Sequence, residues 1–144
     1  MSPDDMLRFP ADGAVLRKIR AKVRDRAGRL GAVPNVCDNL ALVVDELVNN
    51  AIEHGASYRK AGLDLEVRIE ADGERLVIEF FDPEMPGDQV KGLAAALAET
   101  AGGMPSLESE RGRGLFLLSV YLDGLAAEVA LRGGLRLVGN ILCK

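Results

Sequence analysis

The chain has no tryptophan, 4% aromatic residues and a single histidine. So few rings leave no stacking platform for single-stranded nucleic acid. A basic excess is missing too, since 18 Lys and Arg face 22 Asp and Glu for a net charge of −4. Binding driven by phosphate neutralisation is therefore not expected, and no direct nucleic-acid role follows. Cys37 and Cys143 stand far apart, with no CxxC pair and no histidine cluster, which excludes a zinc site or a disulfide framework as the organising element. No apolar run is long enough to cross a bilayer. Met1-Ser2-Pro3-Asp4-Asp5-Met6 also lacks the basic and apolar regions of a signal peptide, so a cytoplasmic protein without a membrane partner is expected. The P-loop, the dinucleotide glycine fingerprint and the protein-kinase motif set are all absent. A Ser–His–Asp or Cys–His set is not credible, because the one imidazole, His54, belongs to a helix described below.

What is present fits one domain spanning 1–144, since 144 residues at 48% hydrophobic content suffice for a single core and crowd two. Leu16, Ile19, Val23, Ala27 and Leu30 keep helical spacing, so residues 12–30 read as an amphipathic helix with a basic outer face. That face, with Arg17, Lys18, Arg20 and Arg24, is ordinarily solvated, and it could also dock an acidic partner. Pro34-Asn35 opens a second helix that runs to His54 and stops at Gly55. Leu63 to Ala71 alternates apolar with charged residues, Asp72-Gly73 turns the chain, and Arg75 to Phe81 returns as the second arm of a hairpin. Residues 82–111 lose the pattern among prolines and glycines, with a short helix over Gly92 to Thr100, and read as a lid or binding loop. Leu115 to Leu122 reads as a helix, and Leu125 to Leu131 with Leu135 to Leu142 as a last hairpin turned at Gly133-Gly134. The order predicts an α+β two-layer sandwich, with helices on one face of a mixed, mostly antiparallel sheet.

The most telling stretch is Asp45 to Gly55. At about 100° per residue, Glu46, Asn50 and His54 form one polar stripe beside the apolar stripe of Leu40, Val43, Val44, Leu47, Val48 and Ala51. Asn is a poor helix former and Glu is rarely buried unpaired, so both at the margin of a core suggest a site. An amide oxygen beside a carboxylate is hard-oxygen chemistry suited to Mg²⁺ and an attached phosphate. Two further pieces are weak singly. Asp82 ends a strand, where it can accept from the amino group of a base or begin a turn before Pro83. Gly112-Arg113-Gly114 precedes a helix, where free backbone N–H groups suit phosphate oxygens, or it is a plain helix entry.

Taken together, Glu46-xxx-Asn50-Ala51-xx-His54-Gly55, then Asp82, then Gly112-x-Gly114-Leu115 stand in the order and rough spacing of the N, G1 and G2 boxes of the GHKL ATPases. The chain resembles that superfamily along nearly its whole length. Its short length, opening helix pair and Arg113-Gly114-Leu115-Phe116-Leu117-Leu118 look most like the anti-sigma factor serine/threonine kinases. The resemblance implies the Bergerat ATP-binding fold, with a lid at about 88–111. It implies ATP and Mg²⁺ as cofactors, Glu46 as the general base, and Asn50 as the metal residue. Asp82 would take the adenine amino group, and Gly112, Arg113, Gly114 and Leu115 would complete the ATP site. His54 would be mainly structural. The implied activity is phosphorylation of a serine on a STAS-domain antagonist, which regulates a sigma factor by partner switching, and members of the family often dimerise. One departure carries an alternative. Glu84 and Pro86 stand where the family has small residues after the adenine-binding Asp, and Leu135-Arg136-Leu137 supplies no Thr for the base. The alternative is a nucleotide-weak or catalytically degenerate protein-binding module of the same fold. The ATPase half of a histidine kinase, a third reading, would need a phosphoacceptor histidine on a dimerisation helix.

Overall fold

The computed structural model describes residues 6–101 and 110–144. Its sheet has five strands in the order β1-β2-β3-β5-β4, with β1 Met6–Phe9, β2 Leu65–Asp72, β3 Arg75–Asp82, β4 Asp123–Val129 and β5 Leu135–Leu142. Every pair of neighbours is antiparallel, so the parallel pairing expected of a mixed sheet does not occur among the described residues. The helices are α1 Leu16–Arg29, α2 Pro34–Gly55, α3 Gly87–Ala101 and α4 Glu110–Tyr121. Together they make the α+β sandwich that the sequence predicts.

Alternation decides which sheet face meets the helices. Leu65, Val67 and Ile69 of β2, Leu76, Ile78 and Phe80 of β3, and Leu135 and Leu137 of β5 are all buried. From the helices Val23, Leu40, Val44, Val48 and Leu118 close on them. Each such side chain gains about 1.5–3 kcal/mol on leaving water. The intervening residues carry charge on the other face, where Arg136 pairs with Glu79 at 2.9 Å and Glu128 at 2.6 Å, and Arg68 with Glu79 at 3.7 Å. That ladder is the usual solvated side of an antiparallel sheet.

Three sequence expectations need correction. The first strand is not expected from the sequence, because four residues containing Arg8 and followed by Pro10 carry too little alternation to read as a strand. The helix expected from residue 12 begins at Leu16, behind a 3₁₀ turn over Gly13–Val15 whose Ala14 N–H is capped by the Asp12 side chain at 2.9 Å. The segment 82–111 is not mainly loop. Its first half is the fifteen-residue helix α3, which buries Val90, Leu93 and Leu97 at helical spacing. The flanking Pro86 does not block this helix but starts it, its carbonyl accepting from Gln89 and Val90 N–H at 3.0 Å each. The remainder of the expected lid, residues 102–109, lies outside the described residues.

The basic face of α1 is partly satisfied by α2. Arg24 meets Asp38 at 3.1 Å in an exposed pair worth only about 0–1 kcal/mol, and Arg20 meets Asp45 at 3.5 Å in a half-buried one.

Candidate functional site

Helix α2 starts with Pro34 at its first position, where the missing N–H costs nothing. Its apolar stripe is fully covered: Leu40, Val43, Val44, Leu47, Val48 and Ala51 all belong to the core. The polar column beside it, Glu46, Asn50 and His54, is half-buried as the spacing predicts. Asn50 and His54 line a cavity of about 20 Å³ between α2, α4 and the sheet, with Phe80, Met85, Leu115 and Leu137 among its walls. That volume admits roughly one water molecule, against about 300–1,000 Å³ for sites that hold a cofactor-sized ligand. Leu115, Leu135 and Leu137, each at most 3% exposed, make this end of the cavity apolar.

Glu46 faces α4. A methyl group added at Gly114 would overlap its carboxylate oxygen Oε1, so the glycine is what admits this side chain. Gly114 is not ahead of the helix as the sequence suggests. The helix begins at Glu110, which puts Gly112, Arg113 and Gly114 inside its first turns. The Arg113 side chain lies outside the described residues. Burial against α4, then the nearby charges of Glu53 and Asp45, push the Glu46 carboxyl above its ordinary value. A carboxylate raised in this way is a stronger base than an ordinary glutamate, which suits a proton acceptor.

Asp82 is the one charged side chain fully buried among the described residues, at 0% exposure. Being the last residue of β3, it continues the inward row of Leu76, Ile78 and Phe80. Its carboxylate is fully engaged. Arg59 Nη1 donates to Oδ1 at 3.1 Å and Nη2 to Oδ2 at 2.8 Å, Tyr58 Oη donates to Oδ2 at 2.8 Å, and the Glu84 N–H donates to Oδ1 at 3.2 Å. Arg59 is itself only 13% exposed. Its Nη2 also donates to the Ala51 carbonyl at 3.1 Å and its Nη1 to Glu84 Oε2 at 3.4 Å, while the guanidinium lies 5.3 Å from the Tyr58 ring centre. Burial works against the Arg59 charge, but Asp82, Tyr58 and Glu84 outweigh it and hold the proton more firmly than usual.

Two glycines shape this cluster. A Cβ at Gly55 would sit 2.5 Å from Arg59 Nη2, so the helix-ending glycine also opens the berth in which the guanidinium lies. At Gly134, with φ +82°, a Cβ would meet the Asp82 carbonyl oxygen at 2.5 Å. Glu84 has a different task from the one its position suggests. Instead of crowding a base, it accepts the N–H groups of Lys60, Ala61 and Leu63 at 3.0, 2.7 and 3.2 Å and ties the loop after α2 to the end of β3. Burial would raise its pKa, but those N–H groups and Arg59 prevail and hold it below the ordinary range.

Tyr58 and Arg59 are the site residues that sequence reading missed. A buried carboxylate demands a cation, but nothing in the spacing says which, and the partner lies 23 positions earlier. The single available signal was Gly55, four residues before Arg59, in a place already explained as a helix stop.

The donors are compatible with Mg²⁺ at the Asn50 end of the site and not with a base at the Asp82 end. No group of three or more His, Cys, Asp or Glu side chains converges among the described residues. The Asn50 amide suits a Mg²⁺ that takes most of its ligands from phosphate oxygens and water. At the base end, Asp82 has no free acceptor, and the cavity lined by Asn50 and His54, whose lining does not include Asp82, is too small for a ring system.

A five-stranded antiparallel sheet backed by helices, with Glu46, Asn50 and His54 on one helix and Asp82 closing a strand, is the layout of a histidine-kinase-like ATPase domain. The chain belongs to that family, since the model of the histidine kinase-like ATPase domain matches residues 9–140. No curated protein matches it. Among solved structures it is similar to a chain in the crystal structure of the SiaB–SiaC complex from Pseudomonas aeruginosa, with a TM-score of 0.71 and 17% identity over 94% of this chain and 88% of that one. At this identity the likeness speaks for the fold. No described helix is long and apolar enough to cross a membrane.

Proposed function

We propose that the protein is an ATP-dependent serine/threonine kinase of the anti-sigma factor type, which phosphorylates a STAS-domain antagonist and so regulates a sigma factor by partner switching. The observation that supports it is Glu46, a half-buried carboxylate with a raised pKa, lodged against Gly114 in one column with Asn50 and His54. Glu46 accepts the proton of the incoming serine hydroxyl. ATP and Mg²⁺ would supply the phosphoryl group and its charge neutralisation, with Asn50 toward the metal, Gly112, Arg113, Gly114 and Leu115 along the phosphates, and Asp82 open to the base only where a donor now on its carboxylate gives way. Family membership supports the use of ATP. The likeness to a chain from a two-protein complex is in keeping with a protein partner. A homodimer and a cytoplasmic setting belong to the same reading.

A shift of the Glu46 carboxylate tests the proposal, with nucleotide affinity measured beside the rate because Gly114 is also placed along the phosphates. Gly114→Ala improves helix propensity by about 1 kcal/mol while its methyl displaces the flexible end of Glu46. Phosphotransfer to a STAS-domain substrate is expected to fall at least roughly tenfold with the melting temperature unchanged or higher. An unaltered rate would remove Glu46 from the mechanism. The pH profile gives a second check. The base works ionised, so activity is lost as pH falls through the raised pKa of Glu46, and the acid limb should lie above the ordinary glutamate value of about 4.3. A limb at or below that value contradicts the assignment.

The engagement of Asp82 by Arg59 and Tyr58, beside so small a cavity, favours a second reading. In it the chain is a nucleotide-weak protein-binding module, and partner affinity is the same with and without ATP. A large effect of ATP on that affinity speaks for the kinase.

A further inference from the structure

Asp82 is where the proposed base contact and the observed contacts compete. A carboxylate accepts in about four lone-pair directions, and Tyr58 Oη, the two terminal nitrogens of Arg59 and the Glu84 N–H occupy them. An adenine amino group reaching the same oxygens has to displace a donor. The Glu84 N–H is fixed in the backbone. Arg59 differs, because it already has other acceptors within reach: Glu84 Oε2 at 3.4 Å and the Ala51 carbonyl at 3.1 Å.

We propose that Arg59 is a latch on the base subsite: resting on Asp82 it keeps adenine out, and moving toward Glu84 it frees the carboxylate for the base. The inference rests on reading this site as an ATP site. Glu84 is suited to receive the guanidinium because three backbone N–H groups pin its carboxylate in place and leave it charged. Gly55 provides the berth in which the guanidinium lies. Arg59 thereby sets nucleotide affinity, since the apparent dissociation constant is the intrinsic one divided by the open fraction, and a latch shut about 99% of the time weakens binding about a hundredfold. It also confines the effect to ligands that carry the base.

The test is calorimetric titration of the whole chain, wild type, Arg59→Met and Tyr58→Phe, with a non-hydrolysable ATP analogue and with inorganic triphosphate as the probe that lacks a base. Circular dichroism establishes which variants are folded. Arg59→Met keeps the apolar stem and removes the donors. Tyr58→Phe removes one donor, keeps the ion pair, and answers the question even where Arg59→Met fails to fold. Expected are ATP-analogue binding at least about tenfold tighter in Arg59→Met and about two- to fivefold tighter in Tyr58→Phe, with triphosphate affinity unchanged in both. Folded variants that bind the analogue no tighter than wild type, or that gain equally for triphosphate, overturn the latch. If neither wild type nor variants bind the analogue, the ATP-site reading falls and the latch with it. If Arg59→Met binds tighter but no variant transfers phosphate, the latch stands and the kinase reading falls.

Discussion

Asp82→Ala is expected to lower the unfolding free energy by about 3 kcal/mol, the lower end for breaking a buried pair, because Arg59 loses its 2.8 Å partner in a nearly dry berth and keeps only Glu84 and the Ala51 carbonyl. Such a loss is large beside the roughly 5–15 kcal/mol that holds a domain of this size together. Arg59→Met should cost a comparable amount, since it leaves a carboxylate of 0% exposure with only Tyr58 and a backbone N–H as donors. Combined, the two changes should cost less than either alone, as replacing both members of a buried pair with apolar groups is far milder than removing one. Urea denaturation of the two single variants and the double variant closes the cycle. Simple additivity would mean that the pair is not the coupled unit its 2.8 Å contact indicates.

That cluster also marks where sequence reading stops. The α2 column is legible because Glu46, Asn50 and His54 sit at helical spacing beside a clean apolar stripe, and the structure places all three at the core's margin. Asp82 is legible as a strand end and sits there, as the final residue of β3. What it touches is not legible. Tyr58 and Arg59 lie in a loop without periodicity, and only the folded chain shows that this loop returns to the end of β3 under the three hydrogen bonds to Glu84. Glu84 itself looks like an obstruction when its residue type is considered without its partners. The extent of α3 is hidden for another reason. Pro86, Gly87 and Gly92 punctuate it strongly, while Val90, Leu93 and Leu97, which bury its face, fit a helix only when the segment is followed past the punctuation.

Glu46→Gln should keep the fold and nucleotide affinity and lower phosphotransfer by about 10²–10⁴-fold, the range for removing a positioned general base. The amide is close in shape to the carboxylate, so its place beside Gly114 is retained. Loss of the negative charge relieves the repulsion from Glu53 and Asp45 that helps raise the Glu46 pKa, so stability should hold or rise slightly. Single-turnover transfer of γ-phosphate to a STAS-domain substrate reads the rate, and thermal melting reads the fold. A Glu46→Gln variant that transfers phosphate at the wild-type rate would leave this carboxylate without a chemical role and favour the protein-binding reading.

The central claim, that α2 carries a working nucleotide and metal site, is tested most directly by calorimetric titration of wild type and Asn50→Ala with an ATP analogue, each with and without Mg²⁺. The account predicts binding by the wild type that strengthens with Mg²⁺, and loss of that strengthening in Asn50→Ala with the fold intact. Identical titrations for the two proteins, or no binding by folded wild type at millimolar analogue, would contradict it.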